Sequence, residues 1–288
     1  MENPLQGYYR TKDIYVKLPT QGKWMKSPPK LTEDGEIGVR AMNVRDELLL
    51  NIPDALYNGQ SIFELIESIC PDITDASDMS LPDVDVVMLA SRATSYEKSY
   101  PVEATCTHCE KPQMFEIDLQ VVLGQVVPVT DQVEVEVDDL VVEMRPNTLS
   151  AVNANNIVTS ETGRILQGIR ADKQDISEDL KNRYSENVQQ IAAANLVLIA
   201  DSIVKVTMPD GNIVSEPQHI IDWLSNSNRR TIQVLSGQQY KLNSNGIPRD
   251  FKFTCSMEEC GKNFSSLVEF NPSFFFTTQS VVDPVATK

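Results

Sequence analysis

Two periods of hydrophobic and polar residues alternate along the chain, and they predict where its helices and strands lie. In "NGQSIFELIESIC" the apolar residues recur every three or four positions, which predicts an amphipathic helix with Ser61 as a candidate N-cap. "EIGVRAMNVRDELLL" predicts a strand followed by a helix that Asn43 caps. "LPDVDVVMLASRATSY" predicts a third helix, with Pro82 in its first turn. One face of this third helix carries Val84, Val87, Met88 and Ser91.

The central part of the chain, residues 121–249, predicts two β-hairpins separated by helices. "VEVEVDDLVVEM" alternates with a period of two, so it predicts a hairpin that turns at Asp138 and Asp139. "VKVTMPDGNIV" predicts a second hairpin with Pro-Asp-Gly in its turn. Residues 148–204 are predicted to be helical, most clearly in "SEDLKNRYSENVQQIAAANLVLIADSI", where Ser177 is a candidate N-cap. Two short helices are predicted in "PQHIIDWLSNSNRRTIQVLSGQQYKL".

Four of the five cysteines form two close pairs, and each pair lies between two predicted strands. "VEATCTHCEKPQMFEI" contains Cys106 and Cys109, and "FKFTCSMEECGKNFSSLVEF" contains Cys255 and Cys260. Gly261 follows the last cysteine, where a tight turn favours a residue that tolerates positive φ. Two such turns that face each other offer four thiolates, which suits a tetrahedral Zn²⁺ ion. The 145 residues between the pairs are then an insertion between the two halves of one site.

Other interpretations of the cysteines are also open. The four thiols could be ordinary free cysteines. Alternatively, Cys-x-x-Cys could be a redox centre, a motif that is expected at the N-terminus of a helix. His108 lies inside the first turn and could replace a cysteine, but we expect it to be exposed. Cys70 ends a predicted helix and is expected to be a small buried hydrophobe. Because an all-cysteine site leaves no position for water, zinc at this site would be structural.

These elements predict an α+β fold: mixed helices with small antiparallel sheets, and a four-cysteine, zinc-ribbon-like clasp that joins the N-terminal third to the C-terminal end. We expect an extended N-terminal arm over residues 1–35, which packs either on a partner or along its own domain. Residues 36–120 and 250–276 would form the zinc-clasped α+β core. Residues 121–249 would form the inserted, mainly helical region with its two hairpins, and residues 277–288 a loose tail.

The net charge of −16 is unevenly distributed and argues against nucleic acid as a partner. Residues 54–143 contain nineteen acidic and three basic side chains, whereas residues 1–30 contain two acidic and six basic ones. Nucleic-acid binding requires cations that neutralise phosphates. The acidic middle is therefore either a solvated face or a face that meets a basic partner.

The sequence predicts no membrane span, no secretory signal and no catalytic site. No run of about 18 apolar residues is present, and "MENPLQGYYRTKDIYVK" lacks the apolar core of a signal peptide. The two histidines, His108 and His219, are accompanied by no nucleophile elbow, P-loop or dinucleotide fingerprint. We therefore expect a protein that is not an enzyme and has neither a small-molecule substrate nor a membrane partner.

A series of short motifs follows a specific order at the two ends of the chain. "KLPTQGKWM" in the arm is followed by a strand, by a helix with Asp46 and Glu47 in its opening, and by a helix that ends in Cys70 and Pro71. The third predicted helix then carries Arg92, Ser95 and Tyr96, and the first cysteine turn follows. The closing motif is C-x₄-C-x₃-F…F-x-P-x-x-FF, with Phe264, Phe270, Pro272, Phe275 and Phe276. In this order the motifs resemble those of baseplate hub and hub-assembly proteins from T4-like contractile-tailed bacteriophages, although residues 120–250 carry none of them.

The resemblance implies a structural component of a contractile-tail baseplate, in the hub or its surroundings, that acts by binding other baseplate, hub and tail proteins. Some members of the family are suspected assembly factors, so a hub-assembly chaperone that is absent from the mature virion is an alternative. We expect the protein in the host cytoplasm during assembly and, for a structural component, in the virion tail baseplate. A zinc-ribbon adaptor that binds nucleic acid or transcription machinery is a further alternative.

The arm and an aromatic segment near the C-terminus are expected to contact neighbouring subunits. Exposed aromatic side chains often anchor protein interfaces, but the segment "NPSFFF" could instead fill the core beneath the second cysteine turn. The candidate contact residues are Leu18, Pro19, Gly22, Trp24, Phe274, Phe275 and Phe276.

Overall fold

The computed structural model describes residues 4–5, 8–50, 60–96, 98–129, 133–171, 178–268 and 270, leaving aside the side chains of residues 161, 164–171 and 178–184. This part of the chain has an α+β fold with eight helices and four small antiparallel sheets. The predicted fold class is therefore confirmed. Among the described residues, no helix has the length and apolar character that crossing a membrane requires.

Local sequence signals begin two of the helices as predicted, at Asn43 and at Pro82. The prediction that Ser61 is an N-cap is wrong, because Ser61 lies inside the helix Gln60–Ile69 and its hydroxyl donates to the Leu49 carbonyl at 3.0 Å. The candidate N-cap Ser177 lies outside the described residues. The Asn43 side chain accepts a hydrogen bond from the Asp46 backbone amide at 3.0 Å, and the Asp46 carboxylate accepts one from the Asn43 amide at 2.9 Å. This reciprocal pair satisfies two backbone donors at the helix start. Pro82 lies in the first turn of the third helix. In chain order, the helices of the described residues are α1 (Val44–Leu50), α2 (Gln60–Ile69), α3 (Leu81–Ser95), α4 (Leu119–Leu123), α5 (Leu149–Ala171), α6 (Glu178–Asp201), α7 (Pro217–Asn226) and α8 (Arg229–Ser244).

The strands pair in small sheets, three of which have only two strands. These three pairs are β1 (Ile14–Lys17) with β2 (Glu36–Val39), β3 (Ser99–Thr105) with β4 (Pro112–Asp118), and β9 (Asp250–Thr254) with β10 (Asn263–Leu267). The fourth sheet has the order β5 (Val133–Val137), β6 (Leu140–Met144), β7 (Ile203–Thr207) and β8 (Ile213–Val214). Both hairpins predicted in the central region are therefore present, and they join edge to edge through β6 and β7.

Helix α3 lies at the centre of the main hydrophobic core. Val86, Met88 and Leu89 are all fully buried although they point in different directions around the helix. The sequence pattern predicted that one face of the helix is buried, and the buried surface is wider than that face. Nearly the whole helix is buried because β1, β2, α2, α4 and α8 all pack around it.

The N-terminal arm packs along its own chain. Val16, Leu18 and Met25 belong to the main core. On α3, the Asp83 carboxylate accepts hydrogen bonds from the Thr20 backbone amide, at 2.8 Å, and from the Thr20 hydroxyl. The arm thus covers the start of α3 and contributes apolar side chains to the same core.

A second hydrophobic cluster lies between the β5–β8 sheet and helices α6, α7 and α8. Its buried members fall between residues 129 and 242, whereas the main core draws on residues 16–122, Leu149 and residues 247–270. The chain therefore leaves the main core after Val122, contacts it again at Leu149 between stretches of the second cluster, and returns to it at Ile247.

A buried asparagine, Asn147, connects the two clusters. Its side-chain Nδ2 donates to the Leu198 carbonyl of α6 at 2.7 Å. Its Oδ1 accepts hydrogen bonds from Gln239 and Asn243 of α8, at 2.9 and 2.8 Å. Its backbone carbonyl accepts one from the Leu81 amide, at the start of α3, at 3.0 Å. We call this arrangement the Asn147 junction, and it links α6 and α8 to α3.

Candidate metal centre

The first cysteine turn connects β3 to β4. The Cys106 backbone amide donates to the Lys111 carbonyl at 3.2 Å, and the Glu110 amide donates to the Cys106 carbonyl at 2.8 Å. Glu110 has a φ of +58°, so the chain reverses immediately after Cys109. This reversal brings the two sulfur atoms of the turn to within 4.8 Å of each other.

The second cysteine turn connects β9 to β10 and repeats the same plan. The Cys255 amide donates to the Lys262 carbonyl at 3.0 Å, and the Gly261 amide donates to the Met257 carbonyl at 3.1 Å. Gly261 has a φ of +55°, as its position predicted, and it corresponds to Glu110 of the first turn. A Cβ at Gly261 would meet no atom within 4 Å, so the backbone conformation rather than crowding favours glycine there.

The two turns bring their four sulfur atoms together. All four Sγ atoms lie within 4.8 Å of one another. The Cys106 and Cys260 sulfurs are 3.9 Å apart, and those of Cys109 and Cys255 are 3.7 Å apart. A disulfide needs about 2.05 Å, so these are free thiols, and the group has the composition and the spacing to hold a metal ion.

Several N–H groups point at the sulfurs. The His108 backbone amide is 3.5 Å from the Cys106 sulfur. The Lys111 amide donates to Cys109, and the Met257 amide donates to Cys255. An N–H donor stabilises a thiolate, which is the form of cysteine that binds metals.

The hydrogen bonds and the burial shift the pKa of two thiols in opposite directions. Burial raises the pKa of Cys255, but hydrogen bonds from Gln113, from the Met257 amide and from neighbouring thiols outweigh it and lower the pKa to about 6. The Lys111 amide lowers the pKa of Cys109, whereas burial and the hydrogen bonds shared with the other three thiols raise it to about 11. The N–H donors around Cys255 therefore favour its thiolate.

Aromatic side chains hold the two hairpins together beneath the sulfurs. Phe115 of β4 stacks on Phe253 of β9, with ring centroids 4.5 Å apart. Phe115 also meets the edge of Phe264 of β10 at 5.8 Å. Such pairs contribute about 0.5–1.5 kcal/mol each beyond the apolar area that they bury. The hairpins therefore form one packed unit with the sulfur atoms at one end.

A further polar residue of this centre, Gln113, was not predicted from the sequence. It lies on β4, is 8% exposed, and donates from Nε2 to the Cys255 sulfur at 3.1 Å. Its Oε1 accepts hydrogen bonds from the Ser256 backbone amide and hydroxyl, at 2.7 and 2.8 Å. The one signal in the sequence is the position of Gln113, which lies two residues before Phe115 and so shares its face of the strand.

His108 is exposed and Cys70 is buried, as the sequence predicted for each. The His108 side chain is exposed, and its Nε2 lies 3.2 Å from the Asn263 carbonyl oxygen rather than among the sulfurs. Cys70 is fully buried in the main core. Burial raises the pKa of the Cys70 thiol to about 12, so it behaves as a small apolar side chain.

The candidate contact residues of the arm occupy different environments. Leu18, Pro19 and Gly22 are buried within the chain, and Trp24 is partly buried against the second cluster. Gly22 has a φ of +70°, and a Cβ there would lie 2.5 Å from the Pro29 ring. Phe274, Phe275 and Phe276 lie outside the described residues, as does the predicted tail.

Comparison with known proteins shows a family to which the chain is similar. The model of a family described as T4 bacteriophage base plate protein matches residues 12–277. The match includes the arm from before β1, both cysteine turns and the whole segment between them. It therefore also covers residues 120–250, to which the short sequence motifs did not extend. Neither the curated proteins nor the solved structures contain a match to the chain.

Proposed function

This chain belongs to the T4 bacteriophage base plate protein family, and from that membership we propose that it is a non-enzymatic structural component of a contractile-tail baseplate. It occupies the hub or its surroundings and acts by binding other tail proteins. It is made in the host cytoplasm, assembles there with its partners, and remains in the tail of the virion. The family match over residues 12–277 is the observation that carries this proposal, because it includes the arm from residue 12 onward, both cysteine turns and the central region.

The metal of the cysteine centre is, in this proposal, a structural Zn²⁺ ion. Four sulfurs around Zn²⁺ at about 2.3 Å form a tetrahedron whose corners lie about 3.8 Å apart. The Cys106–Cys260 and Cys109–Cys255 sulfur distances, 3.9 and 3.7 Å, match that spacing. Cys106 and Cys255 are buried and Cys109 and Cys260 are half-buried, so the site is largely shielded. Four cysteine ligands would saturate the zinc, which supports a structural rather than a catalytic role.

The proposed zinc centre links two distant parts of the chain. It would join the β3–β4 hairpin to the β9–β10 hairpin, and the intervening residues 121–249 would form an inserted unit that carries most of the second hydrophobic cluster. A structural zinc contributes on the order of 10 kcal/mol in small peptides, comparable to the total stability of a domain. The centre would therefore keep the inserted unit anchored at both of its ends.

The proposed contacts with neighbouring subunits involve the partly exposed Trp24 and the segment with Phe274, Phe275 and Phe276. Leu18, Pro19 and Gly22 are buried, so these three residues shape the arm from inside the chain. Their burial means that the arm would present Trp24 on a rigid support rather than as a loose extension.

Quantitative mass spectrometry of purified mature phage particles, beside the infected-cell lysate, tests the proposed function. A major capsid protein serves as the control for particle purity, and a host metabolic enzyme serves as the control for carry-over. A small fixed integer ratio to other tail proteins in the particles is the expected result.

Two other results would overturn the structural role. If the protein is bound to tail intermediates in the lysate but absent from particles, it is an assembly chaperone. If it is absent from every tail complex, the baseplate role is wrong, and salt-dependent binding to DNA or RNA would then favour the adaptor.

A further inference from the structure

Gln113 is a buried polar residue that lies between the two cysteine turns, on a strand face that is otherwise apolar. It lies opposite Ala104 in the β3–β4 pairing, and it shares a strand face with Phe115 and Ile117. Those neighbours are apolar and pack into the main core. A glutamine at such a site has a buried amide that must find partners, because an unsatisfied buried amide costs about 1–3 kcal/mol.

All the partners that the structure gives the Gln113 amide belong to the second turn. Its Nε2 donates to the Cys255 sulfur at 3.1 Å, and its Oε1 accepts from the backbone amide and the hydroxyl of Ser256, at 2.7 and 2.8 Å. The side chain therefore crosses from the first hairpin to the second and fixes two consecutive residues there. The contact needs no metal, since it joins protein atoms directly.

The same hydrogen bond gives the Cys255 sulfur a side-chain N–H donor in addition to a backbone one. Cys255 receives both the Gln113 amide and the Met257 backbone amide, whereas among the described residues Cys109 receives the Lys111 backbone amide. An N–H donor withdraws electron density from a thiolate and holds its lone pairs in a fixed direction. Partners outside the ligand set that orient a ligand typically change metal affinity by about 10- to 100-fold.

We infer that Gln113 is a positioning residue of the metal centre: it holds the second cysteine turn in register with the first and orients the Cys255 thiolate for the metal. This inference rests on the proposed zinc centre and adds a residue to it. Gln113 is not a ligand, and it acts through Cys255.

The test uses the full-length chain with leucine in place of Gln113, loaded with Zn²⁺ or with Co²⁺. Leucine keeps the approximate size of the side chain and removes both hydrogen-bonding groups. Gln113→Leu should still bind one metal ion per chain, with affinity reduced about 10- to 100-fold in competition with a chelator. The sulfur-to-cobalt charge-transfer absorption should also shift, which a loss of general stability alone would not produce. Gln120→Leu, at an exposed glutamine on α4, is the matched control and should leave both readouts unchanged.

The outcomes separate the positioning role from the metal centre itself. Wild-type affinity and an unchanged cobalt spectrum in Gln113→Leu would overturn the positioning role and leave the zinc centre intact. Failure of the wild-type chain to bind either ion at one per chain would overturn the centre, and the positioning role with it.

A second variant keeps the test decisive if Gln113→Leu does not fold. Ser256→Ala removes the hydroxyl that donates to Gln113 and keeps the backbone donor, so the chain should fold and show a smaller spectral shift in the same direction. An unshifted spectrum in Ser256→Ala would then count against the role of Gln113.

Discussion

At the scale of single residues, two carboxylates in the first turns of α3 are held away from water by different parts of the chain. Asp83 is fully buried and accepts both of its hydrogen bonds from Thr20. Asp85 is partly buried and pairs with Arg249 at 2.6 Å, just before β9 begins. Burial raises the pKa of each carboxyl to about 6, against the lowering effect of Thr20 on Asp83 and of Arg249 on Asp85.

The raised pKa of Asp83 predicts a pH-dependent cost of folding. The unfolded carboxyl, with a pKa of about 3.9, releases its proton before the folded one. The contribution of Asp83 to the free energy of unfolding is therefore greatest at low pH. It falls as the pH rises from about 4 to about 6 and stays level above that. Asparagine at position 83 is neutral, so Asp83→Asn should gain about 1 kcal/mol relative to the wild type between pH 5 and pH 7.

Urea denaturation of both chains at pH 5 and pH 7 measures this change. Protonation of the cysteines acts equally on the two chains and cancels in the difference between them. A stability difference that is the same at both pH values would contradict the prediction.

A prediction at the same scale concerns the cysteines themselves. Cys109→Ser or Cys255→Ser removes one of four sulfurs, and the chain should unfold or aggregate, because a structural zinc contributes on the order of 10 kcal/mol. Cys70→Ala is the matched control, since Cys70 is buried away from the centre in the main core, and it should cost only about 1–2 kcal/mol. The measurement is thermal stability with the zinc content of each chain, and wild-type stability in a metal-free serine variant would disprove the zinc clasp.

At the scale of elements, the Asn147 junction predicts a large effect from a small change. Asn147→Ala would leave the Asn243 side-chain amide without the Asn147 oxygen and would remove one donor from the Leu198 carbonyl and one acceptor from the Gln239 amide, which still bond each other at 3.0 Å. A loss of about 2–4 kcal/mol in the free energy of unfolding is expected. Asn226→Ala, at the exposed end of α7, removes a hydrogen bond to the Asp222 carbonyl and should change stability by less than about 0.5 kcal/mol. Equal losses in the two variants, measured by chemical denaturation, would rule out a special role for the junction.

The elements also show what the sequence could and could not predict. Asn43, Pro82 and Gly261 act through local backbone geometry, so their roles were visible in the sequence. The two cysteine turns were predictable for the same reason, because a ligand spacing is a local pattern. The pairing of β6 with β7 joins segments separated by the two long helices α5 and α6, and no local pattern specifies it. The contact of Gln113 with Cys255 spans 142 positions, and the burial of α3 on all sides depends on five other elements.

At the scale of the whole molecule, two separate clusters of buried residues predict a two-part response to metal removal. Chelation should loosen β3, β4, β9 and β10, which meet at the sulfurs, and with them the main core around α3. The β5–β8 sheet has its own buried cluster, so its backbone amides should stay protected longer. Hydrogen exchange with and without a chelator measures this, with the metal-loaded chain as the control. A uniform loss of protection would instead show that the two clusters unfold as one.

The 145 residues between Cys109 and Cys255 also set the timing of folding during synthesis. At about 5–20 residues per second, a ribosome needs roughly 7–30 s to make the second half of the centre after the first. Until then the nascent chain offers only two sulfurs, which is half of the ligand set. A prematurely terminated polypeptide can never close the centre. In the proposed zinc centre, metal would therefore bind with all four ligands only after translation has passed the second turn, so a chain that stops before Cys255 would lack the stability that the metal contributes.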